Sequence, residues 1–547
     1  MALAALTPPS GGIWDQSKLQ QTTRNVGSQV SGGPAQNCNS NWNNPCTGEL
    51  SAGGAGVNVI LVSNRVASPK ADGPIEGGLA SALLQAVRNS GAIWVGARVG
   101  QSDISRKEPL ASLETLGTGA TARVDVPAER YRQYYEGFAN SALWPVLHSR
   151  PDLIRVNQDD YRAYCEVNTI MARALRGFLQ PDGMIWVHDY HFLTLARELR
   201  RLGVDRPIGF FLHTPFPRPS NFASLPAHRE IVRAMLQYDL LGFQTETDLA
   251  NFASYVERTL RMSVLDGNFV GETRTTLASF PIGIDARAFA SAAVKAAAKP
   301  DIARLRASLN GAKLIIGVDR IDYSKGLENR LHAIDQLFNG NPDLKRQISM
   351  LQVALPSRGQ ISAYGRLQTE LATLVTEING RHGEVDWMPI RYLNKGFDQA
   401  TLAGFYRTAQ VGLVTPLYDG MNLVAKEYVA AQNPLDPGVL VLSERAGAAQ
   451  QLDAAILVNP HDTEGIAEAI QLASTMPQEE RRERWETMME SLERDNIHAW
   501  FRDFMAALGS TTRALPKRRS PDLAMPLVSP VPPPVLHQSG LAAIKTS

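Results

Sequence analysis

The sequence predicts an α/β protein with two doubly wound parallel-sheet domains facing a central cleft. Three observations lead there. Short continuous apolar runs alternate with stretches of helical periodicity along the body of the chain, the pattern of strands covered on both faces by helices. The alternation runs through twice, with an alanine-rich interruption, "AAVKAAAKPD", between the two passes. A chain of 547 residues is also too long for one ordinary core, so two domains of about 200 residues each are expected.

The elements follow in order. "VNVILVSN" (57–64) is a buried strand, "GGLASALLQAVRNS" (77–90) a helix and "AIWVGA" (92–97) a second strand. "NTIMARALRGFL" (168–179) has helical spacing, "GMIWVHD" (183–189) is a strand, "FLTLARELRRLG" (192–203) a helix and "PIGFFLH" (207–213) a strand. The second pass repeats the scheme with "AKLIIGVDR" (312–320), a helix after Gly326, "ISMLQVAL" (348–355), "VGLVTP" (411–416) and "GVLVLS" (438–443). These define a first domain over 57–300 and a second over 301–485, with helices at 486–510 placed to return across the junction. Residues 1–56, rich in Gly, Ser, Asn, Gln and Pro, hold few apolar anchors. Residues 511–547 carry "PKRRSP" and the polyproline-like "PVPPPV", and both ends are expected to be disordered extensions.

With 44% hydrophobic and 20% charged residues, the composition is that of an enzyme-sized globular protein. A net charge of +1 gives no field for nucleic acid or an anionic membrane, and neither is expected as a partner. No apolar run reaches the ~18 residues of a membrane-crossing helix. The start, "MALAALTPPSGG", has no basic region ahead of its apolar patch, so no signal peptide is expected and the cytoplasm is the default. Cys38, Cys46 and Cys165 are too few and too irregular for a disulfide framework or a zinc site, which fits a reducing compartment.

In open α/β sheets, ligands bind beyond the carboxyl ends of the strands. Here those ends carry Asn64 and Arg65, then Asp189 and His191, then His213. In the second pass they carry Asp319, Arg320 and Lys325, then Ser357 and Arg358, then Asp419 and Glu427. Arg320 and Lys325 of "GVDRIDYSKGL" leave one strand end together, a guanidinium fork and a mobile ammonium suited to clamp a pyrophosphate. The alternative is a solvated loop in which they pair with Asp319 or Asp322; Arg358 of "LPSRG" favours the clamp by adding a third cation in an equivalent place. "WVHDYHFL" (186–193) puts His188, Asp189 and His191 at one turn, where Asp189 is a helix N-cap, a ligand for a sugar hydroxyl, or both. A zinc site there lacks a convincing further ligand. His213 of "FFLHTPFP" is fixed at the cleft edge by a proline-stiffened loop. Gly77 and Gly78 open a helix and bring backbone close to a phosphate, a weak signal alone, and no GxGxxG fingerprint occurs at the first strand. In "YDGMNLVAKEYV" (418–429) a helix starting near 420–422 offers the N–H groups of Met421 to Val424 to an anion. Asp419 lies just ahead and Glu427 one to two turns in, so the two carboxylates bracket the hydroxyls of one sugar on this reading.

The ordered set "LVSNR", "EGGLASALL", "YYEGFANSALWP", "WVHDYH", "GFFLHTPFP", "YDLLGFQTE", "FPIGID", "DRIDYSKGL", "SRG", "HGEVDWMPIRYLNKGF" and "LVTPLYDGMNLVAKEYVAAQ" is highly specific. From about Val57 to about Ala507 the chain resembles the bacterial-type trehalose-6-phosphate synthases of glycosyltransferase family 20. The resemblance implies a GT-B fold of two Rossmann-like domains. It implies retaining transfer of glucose from UDP-glucose to glucose 6-phosphate, giving α,α-trehalose 6-phosphate and UDP, with no metal or other cofactor and in a homo-oligomer, dimer or tetramer.

Carried over by the resemblance, the acceptor site comprises Arg65, Tyr135, Trp144, Asp189 and Arg358, with the two arginines on the acceptor phosphate. The donor site comprises Gly77, Gly78, His213, Arg320, Lys325, Phe397, Asp419 and the run Leu423, Val424, Ala425, Lys426 and Glu427. Asp189, His213, Arg320 and Lys325 carry the chemistry, and Glu427 moves from the sugar to the nucleotide ribose. Two departures stand out. "WVGARVG" has Ala97 where the family has a second Trp, in a loop expected near the acceptor, which loses stacking area. "PSRG" replaces "TSRG" and leaves Arg358 intact. Ala97 keeps open the same fold with another sugar-phosphate or polyol-phosphate acceptor, or another nucleotide-glucose donor; a non-catalytic homologue would lack the cations or acids that are present.

Overall fold

The computed structural model describes residues 59–66, 87–88, 91–100, 109, 111–271, 273–356 and 362–511. Both terminal extensions, Gly77, Gly78, most of the helix expected at 77–90, and Arg358 lie outside the described residues. The described residues belong to one unit, Gly56–Ser547.

The first sheet is assembled from β1 (Val59–Val62), β2 (Ile93–Val99), β3 (Ala111–Leu116), β4 (Gly119–Val126), β5 (Met184–His188), β6 (Ile208–Phe211), β7 (Leu240–Phe243), β8 (Val264–Leu265), β9 (Phe269–Val270) and β10 (Thr275–Ser279). Its order is β3-β4-β2-β1-β5-β6-β7-β10-β9-β8. The second sheet comprises β11 (Lys313–Arg320), β12 (Ile348–Leu355), β13 (Ile390–Leu393), β14 (Val411–Val414), β15 (Val439–Ser443) and β16 (Ile456–Val458), in the order β13-β12-β11-β14-β15-β16 and parallel throughout.

Period-two alternation splits each apolar strand between two cores. Ile60 and Val62 of β1 enter one cluster, Val59 and Leu61 another. In β11, Leu314, Ile316 and Val318 join that second cluster while Ile315 faces a third. The second cluster is therefore shared by both sheets, and it also contains Trp500, Phe504 and Leu508 of the C-terminal helix Ile497–Thr511. Phe504 stacks on Trp186 of β5 with centroids 4.1 Å apart, so the last helix returns to the first sheet.

The fully parallel expectation fails at the edges of the first sheet. β3 pairs antiparallel with β4, and β8, β9 and β10 form an antiparallel meander. "ASLETL" is a partly covered edge strand, and "GATARVDV", though mostly buried, carries Thr, Arg and Asp among its apolar residues, so no continuous apolar run marks them. The interruption between the two passes, around 280–310, is itself helical. It forms the helices Ala286–Ala297 and Pro300–Ala307, and Ala286–Ala297 packs on the helices Gln399–Thr408 and Leu423–Ala431 beside the second sheet.

Candidate active site

In the parallel part of each sheet the strand order reverses at one strand, β1 in the first and β11 in the second, and that is where a crevice opens at the carboxyl ends. In the first sheet β2 lies to one side of β1 and β5 to the other, so the crevice falls between Arg65 and Asp189. In the second, β12 and β14 flank β11, so it falls between Arg320 and Asp419.

Aromatic rings hold the first crevice. Asn64 donates to Tyr131 Oη at 3.3 Å and accepts from Tyr134 Oη at 3.0 Å. Arg65 Nη2 donates to Tyr135 Oη at 3.3 Å, and the Tyr135 ring lies flat against His191, 5.7 Å centroid to centroid. The tyrosines come from a helix that widens from α geometry over Ala128–Arg132 to π geometry over Gln133–Leu143. The Asn140 amide and the Ser141 hydroxyl reach back five residues, to Tyr135 O and Glu136 O, in keeping with that wider winding. Asp189 adopts φ 73°, an uncommon conformation for a residue with a Cβ, and its amide donates to Phe211 O at 2.8 Å. Its side chain makes no cap bond to the short turn Tyr190–Phe192, which removes the N-cap alternative.

His188 and His213 are hydrogen-bonded, Nδ1 to Nε2, at 3.2 Å. Burial pulls His213 down to about 3 and His188 well below its ordinary value, so both rings are neutral at neutral pH. A neutral imidazole presents one donor and one acceptor, which suits sugar hydroxyls. Among the described residues no group of three His, Cys, Asp or Glu is placed to hold a metal ion.

Trp144 spans the two halves. Its indole N–H donates to Asp322 Oδ1 at 3.4 Å, and the Arg320 guanidinium carbon lies 5.6 Å from its ring centroid. Beneath it, His148 packs at 4.0 Å with Nδ1 2.9 Å from Trp144 O, and burial pulls this histidine down to about 4. His148 escaped the sequence reading because it lies at no strand end; its spacing of four from Trp144, within "WPVLH", is the signal that would have found it.

Charge organises the second crevice. Asp319 belongs to the buried pair with Arg330 at 2.6 Å, and Asp322 accepts from the Ser324 amide at 3.0 Å, so neither acid is paired with Lys325. Lys325 Nζ instead reaches across the crevice to Asp419 Oδ2 at 2.5 Å, while Arg320 is exposed. Burial pushes the Asp419 carboxyl up, but Lys325 and the Asn422 amide outweigh it and hold the group below the usual carboxylate range. Asn422, at φ 77°, caps the helix Leu423–Ala431 through Ala425 N at 3.2 Å, which leaves the amides of Leu423 and Val424 without a partner inside that helix. A Cβ on Gly420 would overlap His213 O, so this turn lies directly against the first half's histidine loop.

The remaining expected donor residues are dispersed. Glu427 is buried on the same helix, and burial pushes its carboxyl up to about 7 against a bond from Gln399. Phe397 stands edge-on to Phe405 and helps line a cavity of about 400 Å³ with Leu351 and Leu393. Lys426 does not present its side chain to a ligand: it is fully buried and bonded to Ile282 O and Gln451. Ala97 lies in strand β2 rather than in a loop, 7% exposed, with its amide on Asn64 O at 3.1 Å.

Two Rossmann-like sheets with crevices of this kind form a fold of the GT-B class. The model of "Glycosyltransferase family 20" matches residues 67–510, and the chain belongs to that family. It is 43% identical over 458 residues to the trehalose-6-phosphate synthase of Sinorhizobium fredii, covering 83% of this chain and 98% of that one. A Burkholderia xenovorans α,α-trehalose-phosphate synthase (UDP-forming), solved in complex with glucose-6-phosphate, superposes with a TM-score of 0.79 at 41% identity over 83% of this chain and 100% of its own. An E. coli structure bound with UDP-2-fluoro glucose gives 0.77 at 38% identity over 82% and 98%. No helix among the described residues is long and apolar enough to cross a membrane.

Proposed function

We propose that this chain transfers glucose from UDP-glucose to the anomeric hydroxyl of glucose 6-phosphate with retention, giving α,α-trehalose 6-phosphate and UDP. The relatives solved with glucose-6-phosphate and with UDP-2-fluoro glucose support the two substrates. The observation that carries the reading is the Lys325–Asp419 pair across the second crevice, beside Arg320 and a helix N-terminus and against His213.

In this scheme residues 57–300 bind the acceptor and 301–485 the donor. Arg65 and Arg358 hold the acceptor phosphate, and Tyr135 and Trp144 shape the pocket for its sugar. Asp189, His213 and Asp419 hold hydroxyls at the reacting centre. Gly77 and Gly78 approach the donor phosphate through backbone, Phe397 borders the base, and Glu427 holds the ribose. The glucose C1–O bond to the diphosphate breaks as C1 bonds to the acceptor oxygen on the same face, and the acceptor's proton passes to the departing phosphate oxygen. Arg320, Lys325 and the Leu423 and Val424 amides meet the charge that develops there. Asp419 is held by Lys325 and Asn422, an arrangement for orientation rather than for the nucleophilic attack of a two-carboxylate hydrolase. Closure of the cleft excludes water and protects the donor from hydrolysis. No cofactor enters the scheme, since two cations serve the diphosphate. The enzyme works in the cytoplasm as a homo-oligomer, dimer or tetramer.

Incubation with UDP-glucose and a panel of sugar and polyol phosphates, with products analysed by NMR, tests the proposal. An α,α-linked disaccharide phosphate and UDP in equal amounts are expected with glucose 6-phosphate, and no turnover with it would contradict the assignment.

A further inference from the structure

The chain passes between the two sheets twice, and both passages meet. The first runs through 282–284 after β10, and the second through 495–497, between the helices Gln478–Arg494 and Ile497–Thr511. Ile497 N donates to Ile284 O at 3.3 Å, and a Cβ on Gly283 would overlap Asp495 O, so the two segments cross backbone to backbone.

Lys426 docks on that crossing from the helix Leu423–Ala431. Its Nζ donates to Ile282 O at 2.6 Å and to Gln451 Oε1 at 2.5 Å, and Gln451 Nε2 donates to Asp495 Oδ2 at 2.9 Å. One side chain thus reaches the first passage directly and the second through a single amide. Lys426 is 0% exposed. A methionine would fill such a position by packing, without the cost of removing an ammonium from water. What the ammonium adds is directed bonding to the crossing.

We infer that Lys426 is a positioning residue that ties the helix receiving the nucleotide diphosphate to the double crossing between the halves, so that donor binding and closure of the cleft are coupled. The inference rests on the proposed transfer reaction for its functional consequence, but not for the tie itself. Residues Leu423 and Val424 lie at one end of this helix, at the crevice, and Lys426 follows within the same turn, at the crossing.

The test uses the full chain with Lys426→Met. UDP affinity is expected to stay near the wild-type value while kcat falls about 10- to 100-fold, as misplacement of reacting groups produces. The share of UDP-glucose lost to water rather than passed to the acceptor is expected to rise. A core-filling role would lower the melting temperature and leave the ratio of hydrolysis to transfer unchanged; that result overturns the inference, as does a loss of UDP affinity in proportion to kcat. Gln451→Leu, which keeps the ammonium and its bond to Ile282 but cuts the link to Asp495, carries the same test if Lys426→Met does not fold. A smaller change in the same direction is expected from it, and an unchanged kcat and ratio overturns the inference. Hydrogen exchange on the ligand-free protein reads the tie without any substrate. Faster exchange at 282–284 and 497 in either variant is expected, and unchanged exchange overturns the tie even if the transfer reaction stands. A wild-type chain that makes no disaccharide phosphate would instead sink the reaction while leaving the exchange result to decide the tie.

Discussion

At the ends of β1 and β5 polar groups are held by rings: Asn64 between two tyrosine hydroxyls, Arg65 on Tyr135, Tyr135 flat on His191. At the ends of β11 and β14 they are held by charge: Asp319 by Arg330, Asp419 by Lys325. Beside the first crevice, burial keeps His148, His188 and His213 neutral; in the second, a carboxylate stays ionised despite its burial because an ammonium faces it. The same sheet topology therefore supports two kinds of recognition. In the proposed reaction, rings and neutral imidazoles would select a sugar by shape and hydroxyl pattern, whereas a cation pair and a helix N-terminus would respond to charge that grows as a bond breaks.

The largest expected effects lie on the charged side. Arg320→Ala removes an exposed cation, so the fold is retained while kcat falls about 10²- to 10³-fold, the usual effect of losing one transition-state donor. Lys325→Met behaves differently, because it strands the partly buried Asp419 carboxylate and costs roughly 2 kcal/mol of stability as well as turnover. In the wild type, Asp419 is depressed below its ordinary 3.8, so its contribution is present above that value and lost as pH falls through the depressed one. In Lys325→Met burial is left to raise that carboxyl, and protonation relieves it, so the stability gap between wild type and variant is expected to narrow as pH falls. Equal kcat losses and melting temperatures in the two variants would erase the distinction between the exposed cation and the ion-paired one.

A smaller effect is expected where the halves touch. Trp144→Phe keeps the ring and loses the indole bond to Asp322, worth about 1 kcal/mol, so the KM for glucose 6-phosphate should rise about fivefold with kcat little changed. A fall confined to kcat would move Trp144 to the donor side.

The smallest effect is a proton count. Burial raises the Glu427 carboxyl from 4.5 to about 7, so its contribution to the stability of the ligand-free protein is full below 4.5 and is lost as pH rises through about 7. A ribose hydroxyl donating to Glu427 favours the ionised form, so UDP binding near neutral pH expels a proton from it. Calorimetry in two buffers of different ionisation enthalpy should show less proton release for Glu427→Gln, the nucleotide's own phosphate proton being common to both. Equal release would place the ribose elsewhere.

Legibility in the sequence mostly followed the physics of burial, although the buried strand β7 (Leu240–Phe243) was not read as one. Strands β1, β5, β6, β11, β12, β14 and β15 are covered on both faces and read as apolar runs, and the acids and cations that end them were found with them. The β3–β4 hairpin was missed because polar residues interrupt both strands, and the helices at 286–307 because alanine-rich sequence offers little contrast between apolar and polar faces. Side-chain direction was harder still. Lys426 lies within the run expected to meet the donor, yet the helix turns it toward the crossing, and His148 has no strand end to announce it.

Division of labour between the two crevices is most directly tested by measuring glucose 6-phosphate and UDP affinities in Arg65→Ala and Arg320→Ala. Each loses a charged hydrogen-bond donor, so a crossed pattern is expected: Arg65→Ala weakens glucose 6-phosphate about 10- to 100-fold and spares UDP, and Arg320→Ala does the reverse. Comparable weakening of both ligands by either variant would contradict separate sites on the two sheets.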